Sequence, residues 1–408
     1  MGWMEGKEQL VLIETMADLQ GLVRQGFSDW GQVGDVGVKR AGDLLLFSYT
    51  SAAQYAGRWN FLEQVSRGLI LQAKTGEVVA RPFDKFFNWG EGGRKAPYTA
   101  HIVTVMEKLD GSLGILYRDN GYKVATRGSF PTTPALMEAD YNRWAEVNAA
   151  PQKSWSDLLR YGAMKYWREM QTLGWPAPAS FASTWATDFL ARNHDLTGLP
   201  DELTLLFEII YADGRVLIDY GDREELVLLA ARNRHTGDYL PFYPDLYELG
   251  QRYGFGLPRT FQANNVTDLI AQTGQLDLSQ EGWVVAFSNG ERYKIKGDLY
   301  LELHRLVSGL SFKNTLQAVM DGRVEQTRRL IPEEFLEEFN GWVAEINDRV
   351  AVTKAIVERA FAAAPTADRK GFALWVQTHH QELGPYLFAR LDGREIEPLI
   401  YKLVFRER

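Results

Sequence analysis

The sequence contains no cysteine. Disulfides, thiolate zinc sites and cysteine nucleophiles are therefore excluded, and the chain fits a reducing compartment. Long apolar runs are missing too: no stretch approaches the roughly 20 residues of a membrane-spanning helix. The opening residues carry charges throughout and hold no apolar h-region, so no signal peptide is expected. The expectation is a soluble, cytoplasmic protein with no membrane partner. There is no surplus of positive charge either. Lys and Arg number 45 against 53 Asp and Glu, a net of −8. That balance does not suggest a coat for nucleic acid, yet a local basic cleft survives any net charge, because sites are built from local fields. Internal repeats and low-complexity segments are absent. What remains is an ordinary globular composition, 45% hydrophobic and 24% charged over 408 residues, enough for two or three domains.

Along the chain the patterns change twice. "QLVLIETMADLQGLVRQG" reads as a helix or a strand–helix edge, and "GDLLLFSYTS" as a strand. "RGLILQAKTGEVVARPF" holds two apolar runs around Lys74-Thr75-Gly76-Glu77, a hairpin signal. "TVMEKLDGSLGILYRDNGYKVATRGSF" repeats that grammar, with turns at Asp110-Gly111 and Asp119-Asn120-Gly121. Residues 67–130 are therefore expected to form antiparallel sheet. Helical spacing takes over in "TPALMEADYNRWAEV" and "SWSDLLRYGAMKYWREMQTLGW", which predicts a helical insertion at about 132–200. Strand patterns return in "LTLLFEIIY", "RVLIDYG", "ELVLLAARN" and "EGWVVAFSNGERYKIK". After about residue 300 they stop. A long amphipathic helix is expected after Pro332, and another in "TADRKGFALWVQTHHQEL" with Thr366 as its N-cap. The fold class is α+β, with an all-α C-terminal domain.

Four short stretches carry chemistry. "VMEKLDGSLGILY" sets Lys108 at the end of a strand, against an Asp-Gly turn. Alone, it reads as a surface lysine before a hairpin. "LLFEII" sets Glu208 between apolar neighbours, where a carboxylate must be paired, hydrogen-bonded or near a cation. "EGWVVAF" opens a strand with Glu281-Gly282. "RYKIKGD" places Lys294 and Lys296 two apart, on one face of a strand, with Ile295 facing the other way. Two adjacent lysines repel unless an anion lies between them, so the pair reads as a phosphate site or, more blandly, as solvated surface lysines.

The order of these pieces is Lys-x-Asp-Gly, Arg-Gly, buried Glu, Glu-Gly, Lys-x-Lys. It resembles the covalent nucleotidyltransferase superfamily of ATP-dependent ligases and capping enzymes, with its motifs I, Ia, III, IV and V. Upstream, the Arg-Gly of "SRGLIL" and the stretch "RPFDKFFN" narrow the resemblance to the phage-type RNA ligase 1 family. It covers residues 58–130 and 200–310. Residues 132–200 look longer than that family's spacer, and beyond 310 only helical character matches.

The resemblance implies an antiparallel-sheet nucleotidyltransferase fold (ATP-grasp-like), with an adenylyltransferase domain at 1–305 and a helical C-terminal domain at 306–408. By it, Lys108 takes AMP from ATP. Asp110, Glu208 and Glu281 hold Mg²⁺ or Mn²⁺ through water, and Glu208 alternatively holds the ribose hydroxyls. Lys294 and Lys296 contact the α-phosphate, with Gly282 beside them. Arg67 and Lys85 bind ATP phosphates or the RNA 5′-phosphate. Arg127 stands where the family carries a lysine and faces RNA; a bidentate donor there replaces a point charge. Phe87 and Tyr300 are candidate nucleotide-stacking rings, or core aromatics. The implied partners are RNA with 5′-phosphate and 3′-hydroxyl ends, such as cleaved tRNA, and an end-healing kinase or phosphatase. A monomer is expected. A DNA ligase or capping guanylyltransferase is the alternative, but those normally append an OB-fold where this tail is helical. A non-catalytic RNA-binding shell is the other, and the intact set of lysines and glutamates argues against it.

Overall fold

The computed structural model describes residues 12–406, apart from 58, 148, 150, 153, 155–179, 212–216, 308, 330 and 332–334. The chain divides into two compact units, Met1–Leu301 and Glu302–Arg408.

The first unit opens with the helix Met16–Arg24. Thr15 and Asp18 close a capping box at its start, and Leu19 and Val23 are buried from its apolar stripe. Four strands follow as an antiparallel sheet in sequence order: β1 (Val36–Ala41), β2 (Leu44–Tyr49), β3 (Arg67–Gln72) and β4 (Val78–Ala80). The hairpin around Lys74–Glu77 joins β3 to β4. The chain then gives β5 (Phe87–Asn88) and β6 (Ile102–Glu107) to a different sheet. Next, β7 (Ser112–Arg118) and β8 (Tyr122–Thr126) pair as a hairpin over Asp119-Asn120-Gly121, with Asn120 and Gly121 both at positive φ. They share a sheet with β9 (Leu203–Ile210) and β10 (Glu225–Asn233), in the order β10-β9-β7-β8. The third sheet adds β11 (Thr260–Phe261), β12 (Gly282–Phe287) and β13 (Arg292–Lys296) in the order β11-β6-β12-β13-β5. Its β13–β5 pair is parallel, so this third sheet is mixed while the other two are antiparallel.

The Asp110-Gly111 turn departs from the expected hairpin. Strands β6 and β7 do not pair: β6 lies between β11 and β12, and β7 between β9 and β8. Residues 108–111 instead carry the chain from one sheet to the next. An Asp-Gly pair signals a sharp bend, but which strands then pair is decided by long-range burial. "RVLIDYG" also departs from its strand pattern. Leu217 and Ile218 are buried but lie in a loop, because their amides are taken by a side chain, Asp110, instead of a neighbouring strand.

The apolar faces sort into layers. Ile70 and Ala80 of the first sheet pack with Ile115, Ala125, Leu206 and Ala230 of the second. The other face of the second sheet packs under the helix Phe181–Asn193 through Trp185, Leu190, Phe207 and Leu228. Each such side chain, fully buried, contributes roughly 1.5–3 kcal/mol. Between β8 and β9 the described helices are Pro134–Val147 and Phe181–Asn193; the predicted helix in "SWSDLLRYGAMKYWREMQTLGW" lies almost wholly outside the described residues. In the second unit the long helix is Leu336–Ala362, with Phe339, Val343 and Ile346 buried along one stripe. Ile346 joins Phe372, Leu387 and Ile400 in a core of the unit's own. Pro332 lies outside the described residues. The helix Arg369–His379 is capped by Asp368, not Thr366: the Asp368 carboxylate accepts the Gly371 N–H at 2.8 Å. Among the described residues no helix is long and apolar enough to cross a membrane.

Candidate active site

Lys108 leaves the end of β6 and is tied at both ends. Its backbone N–H donates to the Gly282 carbonyl at 2.9 Å, and its Nζ donates to Glu281 Oε2 at 2.6 Å. Lys296, from the far end of β13, reaches Glu281 Oε1 at 3.1 Å. One carboxylate, 2% exposed, thus sits between two lysines. Burial pushes the Glu281 carboxyl up, but Lys108 and Lys296 outweigh it and hold the group below its usual range, charged. Gly282 makes this closeness possible. At φ +141° a Cβ would stand 2.0 Å from the Ile295 carbonyl oxygen, so only glycine lets β12 and β13 pair at Gly282–Lys296.

Two residues on, Asp110 is buried and its carboxylate is hydrogen-bonded at both oxygens. Oδ2 accepts the Leu217 and Ile218 amides at 2.7 and 2.8 Å, and Oδ1 accepts the Tyr300 hydroxyl at 3.0 Å. Its own N–H donates to the Tyr220 hydroxyl at 2.8 Å. Asp110 therefore anchors the sheet-changing segment. Tyr300, 3% exposed, is the other half of that anchor and not an open stacking ring. Gly111 donates to Glu208 Oε1 at 2.9 Å. Desolvation pushes the Glu208 carboxyl up to about 7, against the pull of Lys108 and with the push of Glu281 and Asp110.

The remaining predicted cations gather around aromatic rings. The Arg67 guanidinium and the Lys294 ammonium lie 5.0 and 5.3 Å from the Phe86 centroid. Lys85, 5% exposed, is caged by Tyr49, Trp59 and Phe87, and Arg127 lies 4.7 Å from Tyr49. Phe87 is packed between Trp59, Lys85 and Arg94. The alternation of β13 is as the sequence predicts: Tyr293 and Ile295 enter the core, and Lys294 and Lys296 share the other face. The sequence reading misses Tyr49, Trp59, Phe86 and Tyr220. Only Phe86 carried a signal, flanked as it is by Lys85 and Phe87.

Among the described residues no cluster of three or more His, Asp or Glu converges on a metal position. Asp110 accepts three hydrogen bonds and Glu281 pairs with two lysines, which leaves lone pairs on each for metal-bound water. Mg²⁺ usually keeps several waters and binds through one or two carboxylates plus substrate phosphates. Asp110, Glu208 and Glu281 would fill that outer role through water, and no cage of three direct ligands stands among the described residues. The arrangement offers an aimed lysine, a carboxylate that orients it and several cations able to meet phosphate oxygens.

Comparison with known proteins bears on the same residues. A family model described as RNA ligase matches residues 65–300, more than half of the chain. An RNA ligase of Rhodothermus phage RM378 is 23% identical over 417 aligned residues, covering 88% of this chain and 87% of that protein. A protein of Autographa californica nuclear polyhedrosis virus, named as a bifunctional polynucleotide kinase/RNA ligase, is 27% identical over 312 residues. That match covers 71% of this chain, which spans only 38% of the viral protein's length. Among solved structures, a mutant Naegleria gruberi RNA ligase with ATP and Mn aligns at 16% identity with a TM-score of 0.29, over 50% of this chain and 52% of that one. With a family model matching residues 65–300, the chain belongs to the RNA ligase family.

Proposed function

We propose that the protein joins RNA ends in an ATP-dependent reaction through a lysyl-AMP intermediate on Lys108. The observation that carries this reading is the Lys108–Glu281–Lys296 arrangement within a chain of this family. An ammonium with an ordinary pKa near 10.4 is a poor nucleophile at neutral pH. Glu281 fixes where Lys108 points, and the neighbouring cations Lys294 and Lys296, with the nucleotide's Mg²⁺ or Mn²⁺, would favour loss of the Lys108 proton to water. The neutral amine then attacks the α-phosphorus of ATP, the bond to the bridging oxygen of pyrophosphate breaks, and a phosphoramide forms. Lys294 and Lys296 offset the charge that builds on the non-bridging oxygens. Mg²⁺ or Mn²⁺ entering with the nucleotide would neutralise phosphate charge, with Glu208 holding its water shell. In the second step the RNA 5′-phosphate displaces the lysine and takes AMP. In the third a 3′-hydroxyl attacks that phosphate and AMP leaves.

Nucleotidyl transfer belongs to the first unit in this reading, and RNA selection to the helical second unit. A role in RNA or tRNA repair fits 5′-phosphate and 3′-hydroxyl substrates. It calls for an end-healing kinase or phosphatase as partner, in keeping with the kinase named alongside a ligase in the viral relative. The test is incubation with labelled ATP or labelled GTP, then with 5′-phosphorylated RNA. The reading expects a covalent label from ATP alone and its passage to RNA. A protein that takes no label, or takes it from GTP, is not this enzyme.

A further inference from the structure

A cavity of about 1210 Å³ shares Lys85 and Phe86 with the lysine site, yet the chemistry above leaves the rest of it unused. Its lining also includes Arg232, Tyr239, Tyr243 and Arg292. Sheet register joins it to the active site. On β12 and β13 the pairs Gly282–Lys296, Val284–Lys294 and Ala286–Arg292 fall on one face, as strand alternation requires. On β6, Met106 and Thr104 pair with Val284 and Ala286, and they line the cavity as well. Arg292, Lys294 and Lys296 are therefore a row of cations on a single face, successive members about 7 Å apart. The row begins at Glu281 and ends in the cavity.

At the cavity end the cations outnumber their counter-charges. Arg67, Arg81, Arg232 and Arg292 act on or around Tyr239, against Asp84 and Asp238. Arg232 is satisfied: its Nη atoms hold Asp84 and its Nε donates to the Gly237 carbonyl. Arg292 is satisfied only in part: its Nη1 donates to the Gly290 carbonyl at 3.3 Å and its guanidinium stacks on Tyr239 at 3.6 Å, while its Nε is buried without a partner. Arg81 Nε and Arg67 Nη1 are buried without partners as well. A buried N–H with no acceptor is costly unless an anion relieves it. Tyr243, on the same lining, is 59% exposed, and its ring lies 5.6 Å from that of the exposed Tyr247. Cations interleaved with exposed rings are what an unpaired nucleic-acid strand needs: charge for phosphates and flat faces for bases.

We propose that this cavity seats the single-stranded end of the RNA, with Arg292 on a backbone phosphate and Tyr243 under a base, so that the row Arg292–Lys294–Lys296 leads the strand to Lys108. This rests on the RNA ligase reading and adds to it a strand subsite. The test uses the full chain, wild type and the variants Tyr243→Ala, Arg292→Gln and Arg292→Lys. Two quantities are read: covalent AMP labelling, and the Kd for a 5′-phosphorylated single-stranded RNA across a salt series.

Each variant should label with AMP as wild type does. Tyr243→Ala should weaken RNA binding about tenfold or more with the salt slope unchanged. Arg292→Gln should weaken binding and reduce the slope of log K against log salt by about 0.7, the loss of one phosphate contact, and Arg292→Lys should restore that slope. A merely structural role for Arg292 would not move the slope, and Tyr243 is exposed enough to be removed without disturbing the core. Wild-type affinity in both Tyr243→Ala and Arg292→Gln overturns the subsite. So does lost AMP labelling in Arg292→Gln with RNA binding intact, which would give the cavity to the ATP triphosphate. If wild-type protein takes no AMP at all, the ligase reading falls and takes this one with it. Wild-type labelling with indifferent variants sinks the subsite alone.

Discussion

Glu281 is the residue on which the site's charge turns. Buried alone it would take up a proton; between Lys108 and Lys296 it stays ionised and aims both. Removing Lys108 leaves Glu281 its second lysine, so Lys108→Ala should fold with little loss of stability. It should take no covalent AMP and join no 5′-phosphate RNA, yet still seal pre-adenylylated RNA in part. Labelling of that variant would assign the nucleophile elsewhere. Alanine at Lys294 or Lys296 should suppress labelling by roughly 3–4 kcal/mol of barrier, comparable to losing an oxyanion-hole donor. Single-turnover labelling rates check this. Glu208 makes the opposite case to Glu281. Its carboxyl is raised from an ordinary 4.5 to about 7, so the folded state binds the proton more tightly than the unfolded chain does. The stability it contributes is fully present below about 4.5 and is lost as pH rises through about 7. Glu208→Gln should therefore gain roughly 1–3 kcal/mol on wild type at pH 8 and little at pH 5. Thermal unfolding at the two pH values measures it, and a constant difference would refute the assignment.

At the scale of elements, local pattern and long-range pairing part company. The face shared by Lys294 and Lys296 is legible from spacing alone, because a strand alternates with period two whatever its neighbours. Glu208 is legible as a carboxylate that needs a partner, because apolar neighbours flank it in a strand. Asp110-Gly111 is not legible in the same way. The dipeptide announces a bend, but the crossing from sheet to sheet depends on strands β9, β11 and β12, far along the chain. The task of Asp110 depends on amides 107 and 108 residues away, which no window of sequence reveals. The cap of the helix Arg369–His379 fails for a smaller reason: Thr and Asp both cap, and only geometry shows which reaches an amide. Gly282 is where an element can be tested. Alanine there meets the Ile295 carbonyl oxygen at 2.0 Å and must also hold φ +141°, so Gly282→Ala should cost about 2–4 kcal/mol and pull Lys296 off Glu281. Gly290, in the β12–β13 turn at φ +85° with open space around it, should cost only about 1–2 kcal/mol as alanine. Urea titration of the pair, with AMP labelling where both are folded, separates the close approach from the backbone strain. Equal losses would mean that the contact at Ile295 is readily relieved.

At the scale of the whole molecule the chemistry and the helices are unevenly shared. Every side chain placed at the site lies in Met1–Leu301, while Glu302–Arg408 carries its own apolar core. A truncated chain should therefore keep the first reaction and lose something else. The cut must respect Tyr300, whose hydroxyl holds Asp110 and whose helix runs Asp298–Val307. A chain ending at 301 would fray that helix and loosen the segment that presents Lys108. A chain ending near 310 keeps it whole. The longer truncation should form enzyme-AMP close to the full chain's level and the shorter one should not. With the longer one, joining should fall most on structured substrates such as a broken tRNA loop, since such ends are read by shape and by stacking of splayed bases over a wide surface. AMP labelling and joining of one unstructured and one looped RNA by the soluble protein decide the matter. Equal loss on both RNAs with labelling intact would remove selection from the helical unit's duties. Labelling that is intact at 301 would mean that the Tyr300–Asp110 anchor does not position the lysine.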